Sequence, residues 1–382
     1  GLVLALVALW LVPKRWNAGA LSSDISIIWR RPWPVAAIVV WILYVLLILL
    51  GLTSSVSKVG RYSLPILSGL DILAAMGFGF LFEWIERIKH NSRWVVGGIA
   101  AVCVAQLVLV LPTYPYFYSY WNPVLGGGAA AVKTVPVGSG EGLDKAVDFL
   151  NQLPDAEQSI LICGASRGWC EGKFSGTTWS KDTLGSNKWM QADYVLPYIN
   201  WSQRQMYPQG VLDYLSRQQP VYQAELGGAT YAWLYRVPDV SYYSGTKLEG
   251  RGTLYGYNLS ATELKAGDEL TATLYWRNEG QQPDDAFFVA MEDAADYRWA
   301  MALAEPRSGF EEAARTRKEI VESEASLSLP VGMPPGQYFL KMGFVTDHGQ
   351  TLVGRFELPA DGDDVLITLP DAFPGEEEVS VS

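Results

Sequence analysis

The pattern of apolar and polar positions divides the chain before any motif is considered. Val35 to Leu52 reads VAAIVVWILYVLLILLGL, without a charged residue. Tyr62 to Phe82 is a second apolar run with Asp71 inside it, and Trp94 to Leu111 is a third. Gly1 to Val12 has the character of the tail of another. A bilayer core takes about 20 apolar residues of helix. Backbone polar groups in hydrocarbon must be paired within their own segment, so these runs predict membrane helices. Such runs in succession argue against buried helices of a soluble core.

Beyond Leu111 the pattern changes twice. Pro112 to Val137 is a connector rich in Pro, Gly and aromatics. Leu143, Ala146, Val147, Leu150 and Leu153 recur at helical spacing. Ser159–Cys163 and Ala192–Ile199 read as strands, and Gly210–Gln218 as a helix. Pro220–Leu226 and Ala229–Val237 read as two strands joined by Gly227-Gly228. From Gly252 the reading is all β. In Glu269–Trp276, Leu270, Ala272, Leu274 and Trp276 share a face. Asp285–Met291, Ile320–Leu329, Gln337–Val345 and Thr351–Leu358 are further strands, with a turn at Pro334-Pro335-Gly336.

The predicted fold class is a multi-domain membrane protein: transmembrane α-helices, then a small α/β domain, then an all-β sandwich. The boundaries fall at 1–111 (the C-terminal part of a multispan domain), 112–137 (connector), 138–240 (α/β), 246–370 (sandwich) and 371–382 (acidic tail). The chain starts at Gly1, inside an apolar run and without an initiator Met, and reads as a fragment.

Charge gives this division a direction. Residues 1–140 hold ten Lys and Arg against four acids, a net +6; the whole chain is −11, which leaves −17 for 141–382. Nucleic acid is excluded as a partner, because phosphate binding needs basic stripes. The 13–34 loop carries Lys14, Arg15, Arg30 and Arg31, and the 83–93 loop carries Arg87, Lys89 and Arg93. By the positive-inside rule both are cytoplasmic. The expected location is the plasma membrane, multi-pass, with the C-terminal domains extracytoplasmic. Trp94, Tyr114, Tyr116, Tyr118, Tyr120 and Trp121 fit interfacial belts around the last span.

Candidate chemistry is sparse. Lys58 and Arg61 stand where an outer loop enters a helix. They either hold a lipid phosphate, Arg61 bidentately, or simply reach the headgroups. Asp71 is either a functional or paired intramembrane acid or one that reaches interfacial water. His90 and His348 are the two histidines, too few for a zinc site or an acid–base relay. Cys163 and Cys170 are a candidate disulfide in an oxidising compartment. Gly138-Ser139-Gly140-Glu141-Gly142 lacks the spacing of a phosphate loop and reads as a turn feeding a helix. Trp169, Trp179, Trp189, Trp201 and Trp233 either stack on sugar faces or fill a small core. No metal and no cofactor is expected.

Several segments together resemble the C-type membrane glycosyltransferases, in particular the protein mannosyltransferase and aminoarabinose transferase-like group. They are Arg61-Tyr62-Ser63-Leu64-Pro65, the stretch from Tyr114 through Asn122-Pro123 to Gly126-Gly127, and Gly138–Leu143 (GSGEGL, with Ser139 where the family pattern has Trp). Tyr275-Trp276 and Pro335–Tyr338 are similar to strand signatures of an appended sandwich. The resemblance implies an enzyme that moves a sugar from a polyprenyl-phosphate carrier to a glycan, lipid or protein acceptor at the outer face of the membrane. It places the catalytic base in a first outer loop upstream of Gly1. It sets Arg61, Lys58 and Tyr62 toward the carrier phosphate. The alternative is a membrane-anchored extracytoplasmic protein that binds glycan or protein without catalysis. A transporter would need paired broken helices in two halves, which the sequence does not show.

Overall fold

The computed structural model describes residues 33–54, 64–89, 93–208, 210–248, 252–280 and 286–345, together with short backbone segments between 356 and 369. The segment 1–12 lies outside them. The chain forms two compact units, Gly1–Tyr114 and Pro115–Ser382.

The first unit is helical: α1 (Trp33–Ser54), α2 (Leu64–Lys89) and α3 (Arg93–Val110). All three are long and apolar enough to cross a membrane. Ile38, Val45, Ile66 and Leu73 form the buried seam between α1 and α2. Asp71 is exposed on α2, outside that seam.

The second unit begins with the connector. Two short 3-10 turns (Phe117–Ser119 and Pro123–Leu125) lead into α4 (Gly127–Thr134). Helix α5 (Leu143–Leu150) buries Leu143, Ala146, Val147 and Leu150, the stripe that the spacing predicts. It lies on a five-stranded sheet built from β1 (Ile160–Cys163), β2 (Thr177–Ser180), β3 (Tyr194–Leu196), β4 (Tyr222–Leu226) and β5 (Ala229–Arg236). The strand order is β2-β1-β3-β5-β4. β1 is parallel to β2 and to β3, and the β5 pairings are antiparallel. Side chains alternate across this sheet: Leu161, Cys163, Tyr194 and Leu196 join the core with α5, while Ile162 and Val195 face the opposite core.

One expected strand is shorter than the sequence implies. β3 stops at Leu196, and Ile199–Gln203 is helix α6 rather than strand. Pro197 has no N–H to give the ladder, and its carbonyl instead accepts from Trp233 N. Helix α7 (Val211–Ser216) follows.

The remaining strands build the sandwich. One layer holds β10 (Ala286–Glu292), β11 (Arg298–Pro306) and β13 (Gly336–Val345). Short segments at Phe356–Glu357 and Leu366–Leu369 pair with β13. The other layer holds β8 (Gly252–Leu259), β9 (Glu269–Asn278) and β12 (Ile320–Ser328), with the two-residue strands β6 (Tyr242–Tyr243) and β7 (Lys247–Leu248) along β8. β11 belongs to both: it pairs with β10 from Arg298 to Ala304, then with β12 at Glu305 and Pro306. Trp276, Phe287 and Phe344 meet between the layers at centroid distances of 4.9–5.6 Å. A single core runs from the sandwich into the opposite face of the five-stranded sheet, through Trp189, Tyr214 and Tyr255. The molecule is thus a membrane protein whose helices are followed by an α/β sheet and an all-β sandwich.

Candidate functional site

The carboxyl ends of parallel strands are where an open sheet leaves room for ligands. In this protein those ends are Cys163 of β1 and Leu196 of β3, and the Gly138–Gly142 loop closes over them through Tyr198. Gly140 is buried with φ +118°, a backbone region that favours glycine. A Cβ there would lie 2.8 Å from the six-membered ring of Trp169. Trp169 therefore rests on bare backbone. It comes from the turn Arg167–Trp169, in the loop that follows β1. A disulfide between Cys163 and Cys170 closes that loop, with Cα atoms 6.2 Å apart. Trp169 remains 47% exposed, so the ring is a half-open plate.

Hydrogen bonds fix the rest. Tyr198 Oη accepts from Gly140 N at 2.8 Å and donates to Glu141 Oε2 at 3.1 Å. The same Oε2 accepts from Ser139 N at 2.6 Å. Asn200 Nδ2 donates to the carbonyls of Val137 and Gly138 at 3.2 and 3.1 Å. Gln203 takes Val137 N at 2.8 Å and gives to Val132 O at 2.6 Å. Beneath them Tyr207 Oη accepts from Tyr198 N at 2.8 Å and donates to Gly164 O at 2.6 Å. Burial pushes the Tyr198 phenol well above its ordinary range, with the Gly140 amide opposing and Glu141 adding to the rise. Tyr198 is therefore a fixed proton donor to Glu141 and not a base.

The amides of Ser139, Gly140 and Leu143 are all committed inside the loop. What the crest offers is a carboxylate held in one orientation, half-exposed beside an aromatic plate. A carboxylate accepts from hydroxyls, and an aromatic face covers apolar C–H surface.

No family model and no curated protein matches the chain. Among solved structures, the C-terminal domain of wzt is 14% identical, with a TM-score of 0.24 over 38% of this chain and 90% of that one. The carbohydrate binding module of the muscle glycogen-targeting subunit of protein phosphatase-1 is 14% identical, with a TM-score of 0.20 over 33% of this chain and 91% of that one. AvmM, which catalyses macrocyclization in alchivemycin A biosynthesis, is 11% identical at a TM-score of 0.18, over 37% of this chain and 100% of that one. Likenesses this slight assign neither family nor function.

Lys58, Arg61 and Tyr62 lie outside the described residues, as do His90 and His348. Among the described residues no group of His, Cys, Asp and Glu is arranged to hold a metal. The tryptophans divide between the two readings. Trp189 is fully buried core, Trp201 lies half-buried under Lys181 with Nζ 4.2 Å from its centroid, and Trp169 is at the surface. The residues that sequence reasoning passed over are Tyr198, Asn200 and Gln203. Asn200 carries a signal of a different kind, the Asn-Trp-Ser sequon, and its amide is spent on the loop. Position was the usable clue: all three follow directly on a parallel strand's carboxyl end.

Proposed function

We propose that this chain is the C-terminal part of a membrane glycosyltransferase that draws its sugar from a polyprenyl-phosphate carrier. Its extramembrane unit holds a saccharide at the Glu141–Trp169 crest. The observation that carries this reading is the seat of Trp169 on Gly140 beside the doubly hydrogen-bonded Glu141. The segment concerned is the GSGEGL stretch that carries part of the family resemblance. The Cys163–Cys170 bridge supports an oxidising, extracytoplasmic setting. In the reaction the resemblance implies, an acceptor oxygen bonds to the anomeric carbon. The bond to the carrier phosphate breaks, and the phosphate leaves with its charge. Arg61 and Lys58 oppose that charge as it develops, and a carboxylate of the first outer loop takes the acceptor proton.

The second reading, a membrane-anchored protein that binds glycan or protein without catalysis, rests on the same crest, where Glu141 Oε2 accepts from Ser139 N and Tyr198 Oη. One experiment separates the readings. The full-length protein, with the sequence upstream of Gly1 included, is titrated calorimetrically in lipid nanodiscs with hexose oligosaccharides and assayed for transfer from a polyprenyl-phosphate sugar. Trp169→Ala should weaken saccharide binding at least about tenfold, ~1.4 kcal/mol. Arg61→Ala should lower transfer by about 10²–10³. Binding without transfer supports the second reading. Absence of saccharide binding, or binding indifferent to Trp169→Ala, would sink both.

A further inference from the structure

The connector is nearly free of charge and apolar on one side. Residues 111–140 contain no Asp, Glu or Arg, and Lys133 is their one charge, within a part of the chain whose remainder to Ser382 sums to −17. One side of this segment is bolted to α5 and to the five-stranded sheet. Tyr116 Oη donates to Asp144 at 2.6 Å, and Trp121 Nε1 to Tyr231 Oη at 3.3 Å. Gly128 meets the turn between β4 and β5 so closely that a Cβ would lie 2.3 Å from Gly227 O. Ser119 and Ala131 are buried on the same side. The opposite side shows Tyr118 at 66%, Val124 at 89% and Leu125 at 78% exposure. These residues project from the two 3-10 turns, so the exposed ridge has a rigid mount.

We propose that this ridge beds into the headgroup boundary of the bilayer. Three observations select lipid as the occupant. The span closes at Thr113, and Tyr118 follows five residues later, a reach of at most about 18 Å. Tyr and Trp are the residues that settle at a membrane–water interface. Ionised side chains are costly near hydrocarbon, and residues 111–140 are a long acid-free stretch joined to a strongly acidic remainder. Val124 and Leu125 then bury their side chains, which the described residues of their own unit leave exposed.

The test uses the full chain with Cys103→Ala and the Cys163–Cys170 bridge intact. Single cysteines replace Tyr118, Val124, Leu125 or, as a control, the exposed sandwich residue Glu305. Each carries an environment-sensitive fluorophore, in nanodiscs of mixed zwitterionic and anionic phospholipid with or without a doxyl quencher at the headgroup boundary. Labels at 118, 124 and 125 should emit to the blue of the label at 305 and lose the larger part of their intensity to the quenching lipid. Water-like emission at 124 and 125 that the quencher leaves unchanged would overturn the proposal. So would blue emission insensitive to the quencher but lost on dilution, since the occupant would then be a second copy. Val124→Glu with Leu125→Glu should abolish quenching of a label at 118 while near-ultraviolet circular dichroism stays native. Quenching that survives the two charges would equally overturn it.

Discussion

Gly140 is the residue on which the crest depends most directly. Its positive φ and the ring at 2.8 Å both exclude a side chain. Gly140→Ala should cost about 1–3 kcal/mol as a strained conformation. It should also displace Trp169, red-shifting and quenching that tryptophan's emission by comparison with Gly142→Ala; unchanged emission would contradict the seat. Part of this was legible in the sequence and part was not. The run GSGEGL stands out as glycine-rich, and its spacing reads as a turn feeding a helix. Its partners Tyr198, Asn200 and Gln203 sit more than fifty residues further on, and no local pattern joins the two. The ring it supports is one tryptophan among five with similar surroundings in sequence. Only the fold separates Trp169 at the surface from Trp189 in the core.

At the scale of elements, amphipathic spacing foretold α5, β9 and β13, because each buries large residues on one face and leaves the other half-open. β11 escaped the same reading for a physical reason. Its inward residues are Ala300, Ala302 and Ala304, small because Met291, Val289 and Phe287 of the paired strand fill the space. The larger Met301 and Leu303 point outward and are exposed, so the apolar pattern is inverted. The hairpin that enters β11 is held by Asp293. Its carboxylate accepts from Trp299 Nε1 at 3.0 Å and from the amides of Tyr297 and Ala295. The Trp299 indole, then the Tyr297 and Ala295 amides, hold this carboxyl below its usual range. A depressed folded value means that the stabilisation is complete above the unfolded pKa of about 3.9 and is lost as pH falls through the folded one. The Trp299 indole proton resonance should therefore titrate with a midpoint below that of an ordinary aspartate. In Asp293→Asn the titration should vanish; a midpoint at or above the ordinary value would contradict the assignment.

At the scale of the molecule, the α/β sheet and the sandwich are one folding body. Tyr214 of α7 is fully buried between them, 5.5 Å from the Phe310 ring and 5.9 Å from that of Trp189. Arg217 pairs with Glu319 across the same seam. Tyr214→Ala should remove about 3–5 kcal/mol, as large aromatic truncations do. Amide hydrogen exchange in β3 and β9 should accelerate together, because local openings follow cooperative units. Acceleration confined to β3 would show the sheets to be independent. The change from one composition to another near residue 246 is visible in the sequence, whereas the shared core is not. It is assembled from single aromatics far apart in sequence, Trp189, Tyr214, Tyr255 and Phe310 among them.

The pinned connector bears on how often a bound ligand would meet the membrane. Between the end of the span at Thr113 and Tyr116, which is hydrogen-bonded to Asp144, the chain has only Tyr114 and Pro115. A tether this short gives the anchored unit a small volume to explore, and short tethers raise effective concentrations to the millimolar range. Under the proposed function, a saccharide captured at Gly140 would encounter a carrier in the same bilayer at a local concentration set by the protein, largely independent of how dilute either is in the cell.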